Sequence, residues 1–181
     1  MIVLSTEWDR MTESVYILLL YISATKGELF IKICESSSGH HCCAAGMAGS
    51  EYWVMQHTGS WASLDIECRL ESEPYSHLVI LDSRAESNCI IKYLMDEYGG
   101  AQKRYAIGLK SPDEYRGVYE WRGTDAPPEF TNWAAGYPKD NPYVYMTVGV
   151  SGSAQNGRWA DTTANDLNLF GICERNKESK V

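Results

Sequence analysis

Residues 130–138 read Phe130-Thr131-Asn132-Trp133-Ala134-Ala135-Gly136-Tyr137-Pro138, inside a segment, 122–142, that is dense in Pro, Gly, Asp and Asn. These residue types interrupt helices and strands alike, so 122–142 reads as one long loop with Trp133 within it. A loop of that length without regular structure is uncommon in a compact domain unless it carries function. On both sides the chain reads as short strands: Tyr105–Leu109 and Val118–Trp121 before the loop, then Tyr143–Val148, Gly157–Trp159 and Phe170–Cys173 after it. These runs are rich in β-branched and aromatic residues. In Tyr143-Val144-Tyr145-Met146 successive side chains alternate, which puts Tyr143 and Tyr145 on one face and Val144 and Met146 on the other.

Upstream of Gly100 the period changes from strand to helix. Tyr52–Met55 reads as a strand, and Gly59-Ser60 then opens a helix that Ser60 caps, with Trp61, Leu64 and Cys68 on one face. His77–Leu81 is a short apolar strand. Asp82 or Ser83 caps a second helix, and Glu86 follows Ser83 by three residues as in a capping box. Its buried stripe is Cys89, Ile90, Tyr93 and Leu94, and Gly99-Gly100 ends it. Two helices followed by short strands define an α+β chain. Its layout is residues 1–50 as an extension, 51–176 as the main domain and 177–181 as a tail.

The extension is β-rich. Residues 15–22 and 29–33 read as a hairpin about a turn at Thr25–Glu28, followed by a small, polar connecting loop. The apolar run Val15–Ile22 is too short to cross a bilayer, so no membrane insertion is expected. Glu7, Asp9 and Glu13 before it are acidic, where a secretory leader is positive, and this favours a buried strand over a leader.

Composition removes further classes. Lys and Arg total 16 against 24 Asp and Glu, a net charge of −8, and no basic run is present. A nucleic-acid partner, which needs a basic patch to neutralise phosphates, is therefore not expected. Twelve Tyr and six Trp against three Phe favour side chains with an apolar body and a hydrogen-bonding tip, as recognition surfaces do. Six cysteines suit disulfides without fixing their pairing. Cys34, Cys42 and Cys43 crowd beside His40 and His41; a local disulfide, Cys34 to Cys42 or Cys43, is preferred to a zinc site, because vicinal thiolates do not readily face one ion. Cys89 is expected to be a buried free thiol, the alternative being a bridge to the amino-terminal cluster or between chains. Nothing resembles a nucleophile motif or phosphate loop, so no catalytic residue is assigned.

Taken in order, these stretches resemble the C-type lectin-like domain over residues 51–176. Ser60-Trp61 through Cys68 is similar to the family's first helix and core cysteine. Leu78–Glu86 is similar to the strand and capped start of the second helix. Tyr105-Ala106-Ile107-Gly108-Leu109 stands where the family carries W-I-G-L. Tyr119–Gly123 and Asn132–Pro138 resemble the long-loop motifs, Trp159-Ala160-Asp161 resembles W-N-D, and Phe170–Glu174 resembles F-I-C-E. The resemblance implies a Cys68–Cys173 disulfide, worth roughly 4–5 kcal/mol on the chain-entropy model, and with it an extracellular, secreted location. The family's second bridge falls on Tyr143 and Ala164, so both partners are absent together.

The resemblance also raises calcium. The family's E-P-N ligands fall on Tyr137-Pro138-Lys139, the next acidic ligand on Asn141, and W-N-D on Ala160 and Asp161. Calcium demands six to eight oxygens, several of them charged; here one carboxylate remains, and the Lys139 ammonium stands near the ion's place. No metal and no cofactor are therefore expected, and Asp125, Glu129 and Asp140 read as a solvated acidic loop. The expected ligand surface is Tyr137, Lys139, Asp140, Asn141, Tyr143, Tyr145, Arg158 and Asp161, aromatics interspersed with single charges. The reading that results is a non-catalytic extracellular module for a protein or glycan ligand. Its alternatives are a calcium-dependent lectin and a matrix-assembly protein, a homo-oligomer linked through the amino-terminal cysteines.

Overall fold

The computed structural model describes residues 30–32, 50–71, 76–112, 117–149 and 151–176. Eight strands and two helices appear in it: β1 (Phe30–Lys32), β2 (Ser50–Gly59), α1 (Trp61–Glu71), β3 (Ser76–Leu78), α2 (Arg84–Tyr98), β4 (Lys103–Lys110), β5 (Glu120–Trp121), β6 (Tyr143–Val148), β7 (Trp159–Thr162) and β8 (Leu169–Asn176). The strands join in one mixed sheet in the order β1-β2-β8-β4-β6-β7, with β3 on β8 and β5 on β4. Every pairing is antiparallel except β4 with β8. The α+β expectation therefore holds, with one continuous sheet.

Both helices start where their caps lie. The Ser60 hydroxyl accepts the Ser63 N–H at 3.1 Å, and the Ser83 hydroxyl accepts the Glu86 N–H at 3.1 Å, each satisfying a donor left over in the first turn. Glu86 reaches back to the Asp82 N–H at 3.0 Å, one residue before the cap. Trp61, Leu64 and Cys68 are buried as the spacing predicts, and Asp65 is buried with them. In α2, Ile90 and Leu94 are buried, whereas Glu86 and Ser87 take places the apolar stripe did not name.

Two cores flank the sheet. Tyr52, Leu81, Ile90, Leu94, Tyr105, Ile107 and Trp159 belong to one; Met55, Trp61, Leu64, Leu78, Ala106 and the cysteines 68 and 173 to the other. Cys68 and Cys173 are disulfide-bonded with Cα atoms 5.3 Å apart, tying α1 to β8 across 105 residues. Gly108 lies where its N–H donates to the Val79 carbonyl, and a Cβ there would lie 2.5 Å from the Leu78 carbonyl oxygen. Only glycine allows that approach.

Several expectations are corrected. Cys89 is disulfide-bonded, not a free thiol; its partner lies outside the described residues. The strand placed at Val118–Trp121 shrinks to Glu120–Trp121. The one placed at Gly157–Trp159 moves on to Trp159–Thr162, because Gly157 sits at a φ of 75° inside a turn. The strand placed at His77–Leu81 ends at Leu78. Phe30–Lys32 pairs with Trp53–Met55 of β2, so part of the extension adds a strand to the sheet. The 15–22 arm of the expected hairpin and the expected bridge from Cys34 to Cys42 or Cys43 lie outside the described residues.

Candidate functional site

The long loop has no regular structure between β5 and β6, and aromatic packing holds it. The Trp159 ring makes edge contacts with Trp121, Phe130 and Trp133 at centroid distances of 5.9, 5.5 and 5.9 Å. Tyr119 packs on Trp133 at 5.0 Å. Asn132 ties the loop to the β6–β7 turn: its Nδ2 donates to the Gly157 carbonyl at 2.7 Å, and its own carbonyl accepts the Trp159 N–H at 2.9 Å. The chain then turns through Gly136, whose φ of 80° suits a tight turn closed by Tyr137 N–H to the Ala134 carbonyl at 3.1 Å. The Tyr137–Pro138 peptide bond that follows is cis.

Asp161 is the centre of this arrangement. Its side chain is buried, 4 % exposed, beneath the residues that follow Pro138. One carboxylate oxygen accepts the Lys139 N–H at 2.7 Å and the other the Asn141 N–H at 2.6 Å. Tyr119 donates to the Asn141 carbonyl at 2.9 Å, and burial, ahead of the Asp161 and Asp140 charges, pushes its hydroxyl pKa above the usual tyrosine range. Charge-assisted bonds of this kind are stronger than neutral ones, so Asp161 fixes the backbone path of 139–141.

The other sequence-derived candidates fall into three groups. Tyr137, Lys139, Asp140 and Asn141 line the loop, the Lys139 ammonium lying 4.6 Å above the Tyr137 ring; Lys139 and Asp140 are exposed. Tyr143 and Tyr145 are half-buried while Val144 and Met146 are fully buried, as the alternation predicts. Tyr143 stacks on Trp61, and Arg104 lies 5.2 Å over the Tyr145 ring. Arg158 stands apart, one residue before β7, where Asn132 Oδ1 accepts from its Nη1 at 3.0 Å.

Arg104 and Asp166, 62 residues apart, were invisible to sequence patterns. Arg104 donates to both carboxylate oxygens of Asp166 at 2.6 and 3.0 Å, and Thr162 and the Asn168 N–H complete its shell. Burial opposes ionisation of Asp166, but these bonds outweigh it and hold its pKa below the usual carboxylate value. The fork braces the turn after β7, which carries Ala164. A second network, in the first core, joins Tyr52, Glu86 and Glu174. Tyr52 donates to Glu86 at 2.8 Å, and Glu174 accepts from Ser50 and from the Ile80 N–H. Burial, with the Glu174 charge adding to it, pushes the Glu86 pKa up to about 7.

No protein-family model matches the chain, but individual proteins do. A C-type lectin of Micrurus corallinus is 30% identical over 122 residues, 67% of this chain and 74% of the relative. The human C-type lectin domain family 10 member A is 31% identical over 137 residues, 70% of this chain. The chain spans 38% of that human protein's length and 55% of the hepatic lectin of Gallus gallus. Among solved structures, the mouse scavenger receptor C-type lectin carbohydrate-recognition domain superposes with a TM-score of 0.58 at 23% identity, covering 76% of this chain and 96% of that one. The lectin CEL-I of Cucumaria echinata gives 0.60 at 21%, covering 70% and 90%. The fold is that of a C-type lectin-like domain. The chain belongs to the C-type lectin family.

Proposed function

We propose that this chain is a non-catalytic extracellular recognition module that binds a glycan or protein ligand through the long-loop surface, without calcium in that loop. The surface comprises Tyr137, Lys139, Asp140, Asn141, Tyr143 and Tyr145, with Arg158 at its margin and Asp161 beneath it. One observation carries the reading: both Asp161 oxygens already accept backbone N–H groups of the loop. The carboxylate that a calcium ion would need is committed to holding the polypeptide. Lys139 and Tyr137 beside it offer an ammonium and a phenol in place of anionic oxygens, and a like charge about 4 Å from a cation costs on the order of 4 kcal/mol at an effective dielectric of 20. An extracellular setting is supported by the Cys68–Cys173 disulfide, which persists where conditions are oxidising.

A calcium-dependent sugar lectin is the second reading, favoured by the oxygen donors retained at Asn141 and Asp161. Glycan-array binding with and without chelator separates the two. Ligand binding unchanged by chelator is expected; binding abolished by chelator and restored by calcium overturns the first reading.

A further inference from the structure

We infer that Glu86 and Glu174 share one buried proton, passed between them through the hydroxyls of Tyr52 and Ser50, and that this proton makes the clasp of α2 onto β2 and β8 sensitive to pH. The chain of contacts is continuous. Tyr52 donates to Glu86 Oε1 at 2.8 Å, Ser50 donates to Glu174 Oε1 at 2.8 Å, and the two hydroxyls are hydrogen-bonded to each other. Backbone takes the far carboxylate oxygens: Glu86 Oε2 accepts the Asp82 N–H and Glu174 Oε2 the Ile80 N–H, both at 3.0 Å. Tyr52 and Glu174 are opposite one another in the β2–β8 register, and Glu86, Glu174 and Tyr52 are 9, 5 and 1% exposed.

Three oxygen-to-oxygen contacts link the two carboxyls, but the two hydroxyls bring only two hydrogens. With both glutamates ionised, Tyr52 and Ser50 donate outward, and their own contact sets lone pair against lone pair. One added proton fills it. On Glu86 it donates to Tyr52, which donates to Ser50, which donates to ionised Glu174. Shifting each hydrogen one oxygen along puts the proton on Glu174 and leaves Glu86 ionised. Only hydrogens move and the charge of the pair is unchanged, so both arrangements fit the same distances.

No cation takes the proton's place: among the described residues, Glu86 and Glu174 make no ion pair. Glu51 on β2 is paired with Arg175 of β8, and Arg84 of α2 lies 5.4 Å over the Phe130 ring. His77, opposite Glu174 on β3, has its Nδ1 2.9 Å from the Leu78 carbonyl, and Asp82 adds a further negative charge. Burying two unpaired carboxylates is costly. Burial, then the Glu174 charge, lifts Glu86 to about 7, a value that belongs to the coupled pair. As pH rises through it the proton leaves, both charges stay buried and the Tyr52–Ser50 contact loses its hydrogen. The clasp is closed below about pH 7 and loosened above it.

The test is a pH titration of the full chain, treated with chelator, following the carboxyl carbons of Glu86 and Glu174 by carbon NMR. Both are expected to shift together with one midpoint near 7. Tyr52→Phe removes the connecting oxygen, and the two should then titrate apart. Ser50→Ala, at the half-buried start of β2, cuts the same chain and stands in if Tyr52→Phe does not fold. A Glu174 carbon that stays still through the Glu86 midpoint, or a shared midpoint that survives the substitutions, overturns the proposal. So does a midpoint that falls when calcium chloride is added back, since a divalent cation then fills the place given to the proton. The network shares no residue with the long-loop surface, so these outcomes are independent of what that surface binds.

Discussion

The indole of Trp61 and the ring of Tyr143 lie stacked, centroids 4.8 Å apart and planes 19° from parallel. Tyr143 stands where the resemblance places a cysteine of the family's second bridge, so an aromatic contact holds β6 to α1. Aromatic pairs add about 0.5–1.5 kcal/mol beyond the area they bury. Tyr143→Ala should therefore lower unfolding free energy by roughly 1–3 kcal/mol in urea titration, and Tyr143→Phe by far less. Equal losses for both would place the energy in the hydroxyl instead of the ring.

Asp161→Asn removes the charge from two backbone hydrogen bonds and sets an amide N–H₂ against a backbone N–H. A hydrogen bond to a charged group contributes about 1.5–3 kcal/mol, and the loss should fall on the loop first. Hydrogen exchange at the amides of Lys139 and Asn141 is expected to accelerate sharply, with exchange in β4 and β8 little changed. Retained protection at both amides would contradict the bracing role.

Glu86 sets a pH dependence. Its carboxyl ionises near 4.5 when unfolded and near 7 when folded, so the fold favours the protonated form. Its contribution is complete below about pH 4.5 and is lost as pH rises through 7, amounting to about 3 kcal/mol. Glu86→Gln can keep both bonds, accepting from Asp82 and donating to the Tyr52 oxygen. The variant should match the parent at pH 4.5 and exceed its melting temperature at pH 8; no difference between the two pH values would refute the assignment.

The Cys68–Cys173 bridge closes a loop of about a hundred residues, for which chain entropy gives roughly 4–5 kcal/mol. Replacing both cysteines by Ala should lower the guanidinium midpoint accordingly. An unchanged midpoint would mean that the unfolded chain gains little freedom when the bridge is lost.

How much was legible beforehand follows from the range of each interaction. Ser60, Ser83 and the Trp61-Leu64-Cys68 spacing announce both helices, because caps and periodicity act within a few residues. The alternation of Tyr143 to Met146 likewise predicts which side chains are buried. The extra reach of β2 and the shift of β7 were not legible, since strand limits depend on partners such as β8 and on the turn at Gly157. Arg104 with Asp166, and Asp65 with Arg122, are separated by 62 and 57 residues, and no local pattern marks them.

The sequence by itself determined the order of elements, the acidic charge balance and the recognisable loop, all of which are properties of residue type and near-neighbour spacing. Tertiary structure alone decided that Asp161 points inward to hold Lys139 and Asn141 instead of outward to a ligand. It also decided that Cys89 is bonded and that two arginines meet at one buried carboxylate. Those outcomes depend on which distant backbone and side-chain groups the folded sheet brings within 3 Å or so of one another, a hydrogen-bonding distance that no reading along the chain encodes.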